Sequence, residues 1–93
     1  MLEKEIEQKL VEAVKARHGK CPKWVCPGWA GVPDRLILLP GGRFAFAELK
    51  QTGRKPRPLQ MIAHEELRRL GFSVYVVDSV GMINEVLNEI QSA

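Results

Sequence analysis

Apolar residues recur along this chain with two periods, and the switches between them outline seven elements. Leu2, Ile6, Leu10, Ala13 and Val14 form one stripe at helical spacing, predicting a helix from about Glu3 to Arg17 that His18-Gly19 stops, with Gly19 as its C-terminal cap. Lys23–Cys26, between Pro22 and Pro27-Gly28, reads as a short edge or first strand. Two apolar runs, Asp34–Leu39 and Arg43–Lys50, flank Pro40-Gly41-Gly42 and predict an antiparallel hairpin. A second helix is expected over Pro58–Leu70, with Pro58 in its first turn and Leu59, Ala63, Leu67 and Leu70 as its buried stripe. Gly71 ends it. Ser73–Asp78 (SVYVVD) is β-branched enough for a strand, parallel to the one before the helix by the crossover rule. Ser79 is expected to cap a last helix, Val80–Ile90, with Met82, Ile83, Val86, Leu87 and Ile90 on one face. The order is αβββαβα, a mixed central sheet flanked by helices in one domain spanning residues 1–93, without repeats or linker.

The hairpin carries the chemistry. If Leu39 faces Arg43 across the glycine turn, the same register sets Asp34 opposite Glu48. Opposed residues share a face with Cβ atoms about 5 Å apart, and Lys50, two residues on, joins them. Phe44 and Phe46 share that parity, while Ala45, Ala47 and Leu49 point to the other face, so both faces are apolar as in a sheet covered on two sides. Two carboxylates so close repel unless a cation lies between them. All-oxygen ligands favour Mg²⁺ or Mn²⁺, which keep waters and engage phosphate. A lysine beside such an ion can orient a water or neutralise developing charge. A slip of one residue would turn Asp34 to the other face.

Composition narrows the setting. The chain has 93 residues, a net charge of +3 and 45% hydrophobic content, which fits one small globular domain for which pairing with a second copy would add stability. Arg54, Lys55 and Arg57 crowd the Gly- and Pro-rich loop Gln51–Pro58 directly after Lys50, a placement suited to a nucleic-acid backbone. No run approaches the roughly 18 apolar residues that span a membrane, and the Glu-rich start lacks a signal peptide's pattern, so a cytosolic protein is expected. Cys21 and Cys26 could form a closed zinc site only if His18 and His64 both joined them; two reduced, partly buried thiols are the expectation. Trp24 and Trp29 read as packing residues, with base stacking as the rival for Trp29, and His64 reads as a surface histidine.

Gly31-Val32-Pro33-Asp34, then Glu48-Leu49-Lys50, then Gln60 at the start of a helix resemble the motif series of the virus-type replication-repair nuclease domain (VRR-NUC), a branch of the PD-(D/E)xK nucleases. The similarity spans nearly the whole chain and is greatest to small stand-alone members of phages and bacteria. A bare ExK would carry little; the ordered set is specific. The resemblance implies a restriction-endonuclease-like fold and hydrolysis of phosphodiester bonds in DNA, with Asp34, Glu48 and the Leu49 carbonyl holding Mg²⁺ or Mn²⁺, and Lys50 beside them. Gln60 would line the site. An acid from the first helix would approach it, Glu7 with Glu3 as rival. Lys23, matching a basic position of the family, and Arg35 are further phosphate contacts, although Arg35 could equally pair with an acid. Stand-alone members look like Holliday-junction resolvases, which implies branched DNA, a two-fold homodimer and no organic cofactor. A flap or nicking nuclease, a DNA-binding module with a vestigial site, and a structural protein with an accidental motif are the alternatives.

Overall fold

Residues Met1–Ala93 are described by a computed structural model. The hairpin forms in the expected register. β1 (Arg35–Leu39) and β2 (Arg43–Leu49) run antiparallel with Leu39 opposite Arg43 and Arg35 opposite Ala47. Gly41 and Gly42, at φ 83° and 73°, supply the left-handed backbone that reversal requires. β3 (Val74–Val77) adds to the far edge of β2 in parallel, completing a mixed sheet of order β1-β2-β3.

The strand expected over Lys23–Cys26 does not form, so the order is αββαβα. Residues 20–24 do run antiparallel along β1, but only through the isolated bridges Lys20↔Leu38 and Lys23↔Arg35. The Lys20 and Leu38 amides bond each other's carbonyls, the Leu36 N–H donates to the Pro22 carbonyl, and the Trp24 N–H donates to the Asp34 carbonyl. Pro22 has no N–H with which to return the bond, and the ladder breaks there.

Alternation along β2 divides the core. Ala45, Ala47 and Leu49 join Ile37, Leu39 and Val77 beneath α1 (Glu3–Ala16) and α3 (Ile83–Ser92), which contribute Ile6, Leu10, Val14, Ile83, Val86, Leu87 and Ile90. Phe46 turns to the opposite face with Val74 and Leu67 of α2 (Pro58–Arg69), against Trp24, Trp29, Leu36 and Phe44. The Trp24 and Phe46 rings lie 4.7 Å apart and the Phe44 and Phe46 rings meet edge-on at 4.8 Å, arrangements that aromatic quadrupoles favour.

Three local expectations change. The left-handed residue after α1 is His18 (φ 65°), not Gly19. The His18 and Gly19 amides close back on the Lys15 and Val14 carbonyls in a Schellman pattern. Gly19 is required instead by packing, since a Cβ there would lie 2.3 Å from the Leu38 carbonyl oxygen. Ser79 occupies the position before a short 3₁₀ turn (Val80–Met82) that leads into α3, but its side chain makes no capping bond. Most consequential for the site, α2 is rotated from the face its apolar residues suggest: it buries Gln60, Ala63, His64 and Leu67, while Leu59 and Leu70 are 54% and 70% exposed.

Candidate active site

Asp34 immediately precedes β1, where the register sets it opposite Glu48. Its Oδ2 accepts the Leu49 N–H at 2.9 Å, so the carboxylate serves an amide just beyond the last paired residues of the ladder, Arg35 and Ala47. A strand residue in an antiparallel ladder turns its N–H and C=O toward the same neighbour, so the Leu49 carbonyl faces the Asp34 side too.

Glu48 is 1% exposed and is the hub. Its Oε2 accepts the Gln60 amide at 2.9 Å and lies 3.3 Å from Lys50 Nζ; its Oε1 lies 3.4 Å from Nε2 of His64. Burial, reinforced by the neighbouring Asp34 charge and opposed by Lys50, pushes the Glu48 carboxyl up from 4.5 to about 7. At neutral pH the Glu48 carboxyl of the metal-free protein is therefore close to its midpoint.

Gln60 is held by both ends of its amide. Its Oε1 accepts the Arg57 N–H at 2.9 Å, capping the first turn of α2, which leaves Nε2 to donate to Glu48. A glutamate could cap equally well but could not donate. Gly31 makes the approach possible: at φ 85°, its position would place a Cβ 2.6 Å from the Leu59 carbonyl oxygen and 3.1 Å from the Gln60 Cα. The glycine of the Gly-Val-Pro-Asp run thus lets backbone meet backbone where α2 begins.

His64, expected at the surface, is 1% exposed and faces Glu48. Burial, with the Arg68 charge next, lowers its pKa and keeps the imidazole neutral at pH 7. The available signal was its spacing, one helical turn after Gln60 on the same face; reading the buried stripe through Leu59 and Leu70 obscured it.

The first-helix acids lie beside Asp34. Glu7 and Glu3 line a cavity of about 290 Å³ with Asp34, Lys23, Trp24 and Val25. The Glu7 carboxylate, however, accepts from Arg35 Nε at 2.9 Å, and Arg35 Nη1 donates to the Cys21 carbonyl at 2.6 Å. Arg35 thus makes the ion pair that was one of its two expectations. The Glu7 carboxylate therefore meets Arg35 directly while sharing its cavity with Asp34. Lys23 is exposed at the rim of that cavity, and Arg54, Lys55 and Arg57 are exposed on the loop between β2 and α2. The Cys21 thiol, pushed up to about 11 chiefly by burial, stays protonated at neutral pH.

The carboxylate pair suits a hard cation. Like charges meet in a buried setting, the donors are oxygens, and Glu48 Oε1 has no hydrogen-bond partner. Asp34, Glu48 and the Leu49 carbonyl would hold the ion, with waters completing its shell. No third His, Cys, Asp or Glu side chain converges with the pair into a larger ligand set.

A helix-flanked mixed sheet whose hairpin ends in two carboxylates and a lysine, with a glutamine from the next helix, has the architecture of the PD-(D/E)xK class. Comparison with known proteins makes the assignment particular. The chain is 47% identical over 77 residues, 83% of each sequence, to a protein of Acyrthosiphon pisum secondary endosymbiont phage 1 named "Putative nuclease p44". A solved structure described as a VRR_NUC domain superposes with a TM-score of 0.85 at 30% identity, covering 95% of this chain and 97% of the other. No family model matches the sequence. On these two relationships the chain belongs to the VRR_NUC family.

Proposed function

We propose that the chain is a Mg²⁺- or Mn²⁺-dependent endodeoxyribonuclease that hydrolyses phosphodiester bonds in branched DNA. The observation that carries this reading is the approach of Asp34 to the buried Glu48, with Lys50 and Gln60 on one oxygen of that carboxylate. A protein that merely bound DNA would gain nothing from holding a second acid against the buried Glu48.

When bound, the cation would polarise the phosphodiester and make a water more acidic. Asp34 and Glu48 supply the negative ligands, and the Asp34 bond to the Leu49 amide fixes one carboxylate on the strand end. Lys50 orients the attacking water and offsets charge as the pentacovalent phosphate forms. Gln60 holds Glu48 and, through Arg57, ties the site to the basic loop. Arg54, Lys55 and Arg57 receive the DNA backbone, with Lys23 at the other rim. Glu7 holds Arg35 beside the Asp34 cavity, a supporting part in place of a direct one. The branched substrate and a homodimer with two sites belong to the resolvase reading. The exposed Leu59, Met61, Ile62 and Phe72 on and after α2 support an association surface. The setting would be the cytosol of a bacterium or a phage-infected host.

The test compares a synthetic four-way junction, a flap, linear duplex and single-stranded DNA, with Mg²⁺, with Mn²⁺ and with chelator. Paired symmetric nicks in the junction are expected, abolished by chelator and by Asp34→Ala. Cuts in one arm only would move the reading to a flap or nicking nuclease. Wild-type cleavage by both Asp34→Ala and Lys50→Ala would overturn it.

A further inference from the structure

Two buried side-chain polar atoms in the whole molecule lack a hydrogen-bond partner, Glu48 Oε1 and His64 Nε2, and they face each other at 3.4 Å. Native interiors rarely leave such atoms unpaired, and leaving one unsatisfied is expensive. The other oxygen of the same carboxylate is already bonded, by Gln60 and Lys50.

We propose that His64 is a positioning residue for the site described above: its Nε2–H closes the short remaining gap to Glu48 Oε1 and locks the carboxylate plane in its ligating orientation. The inference rests on the metal-dependent nuclease reading. Asp34, Glu48 and His64 do not converge as a three-ligand set, so the imidazole is assigned to the carboxylate it faces and not to the ion. Two donors from one face of α2, Gln60 and His64 one turn apart, then grip the two oxygens of Glu48 from the same side. A carboxylate gripped at both oxygens cannot rotate about its terminal bond. Ligand partners of this kind typically govern about 10–100-fold in metal affinity or activity.

The test uses the whole protein and four variants: His64→Gln, whose amide reaches the Nε2 position; His64→Asn, whose amide reaches only the Nδ1 position; His64→Leu; and Glu48→Gln as reference. Mn²⁺ affinity is measured by calorimetry without DNA, alongside turnover, the KM for DNA and the melting temperature. His64→Asn and His64→Leu are expected to weaken Mn²⁺ binding about tenfold or more, lower kcat and leave the KM for DNA unchanged. His64→Gln is expected to recover most of both losses, which a purely structural role would not predict. If His64→Leu fails to fold, the Gln and Asn pair still decides. Wild-type Mn²⁺ affinity in His64→Asn overturns the proposal, and so does equal loss in His64→Gln and His64→Asn, the signature of a direct imidazole ligand. Glu48→Gln separates the two levels: if it binds Mn²⁺ like wild type, the metal site itself is misplaced. If it loses Mn²⁺ while His64→Asn does not, His64 alone is misjudged.

Discussion

On the face of the sheet covered by α1 and α3, the buried cluster is apolar throughout, from Ile6, Leu10 and Val14 to Leu87 and Ile90. On the face covered by α2, the helix turns Gln60 and His64 inward and leaves Leu59 and Leu70 in solvent. The first face follows the hydrophobic pattern because nothing there competes with burial. The second departs from it because Glu48 recruits its neighbours. A helix that must bring donors to a buried acid gives up part of its own apolar contact to do so.

The sharpest way to break this contrast is to disarm the α2 face. Lys50→Ala is expected to lower turnover by about a hundredfold or more with little change in melting temperature, as a cleavage time course beside a thermal melt would show. An equal loss of both would mean that the face is structural. The opposite face should respond in reverse: Leu10→Ala is expected to cost about 2–5 kcal/mol in urea titration while activity per folded molecule stays near wild type.

Glu48→Gln should separate the two properties within one residue. Replacing a buried acid that faces Asp34 with a neutral amide is expected to abolish cleavage yet stabilise the metal-free protein by about 1–3 kcal/mol; a destabilised variant would contradict the electrostatic account. The same physics fixes a pH dependence. The Glu48 carboxyl rises from 4.5 to about 7 on folding, so between those values the native state binds the extra proton. Stability of the metal-free protein should therefore increase as pH falls from 7 toward 4.5 and be lower above 7, before other carboxylates reverse the trend. Divalent-ion binding, which needs the ionised form, should weaken over the same descent. Melting curves and Mn²⁺ titrations across that window check both signs. The smallest effect is expected at Glu7→Gln, which leaves Arg35 without its acid: about 1 kcal/mol of stability and less than tenfold in turnover. A larger kinetic loss would bring Glu7 back among the reacting groups.

The hairpin was legible because its register depends on local turn chemistry, and the placement of Asp34 opposite Glu48 follows from Gly41 and Gly42 alone. The stripes of α1 and α3 were legible for the same reason that their buried face is apolar, although Leu2 remains exposed. The first strand was misread because β-propensity in Lys23–Cys26 says nothing of the missing Pro22 amide. His64 was misread because its burial is decided by Glu48, sixteen positions earlier in sequence, and no periodicity within α2 carries that information. The pairing of Glu7 with Arg35 also depended on a distant element, since the two meet only once α1 is laid across the sheet.

Gly31 has a further consequence. Because the loop ahead of Asp34 and the opening turn of α2 touch through bare backbone, any side chain at that position acts as a wedge, prying the glutamine-bearing helix off the acid-bearing strand. Alanine there would be a spacer inserted at a joint. It offers a way to throttle the protein while leaving every charged group in place.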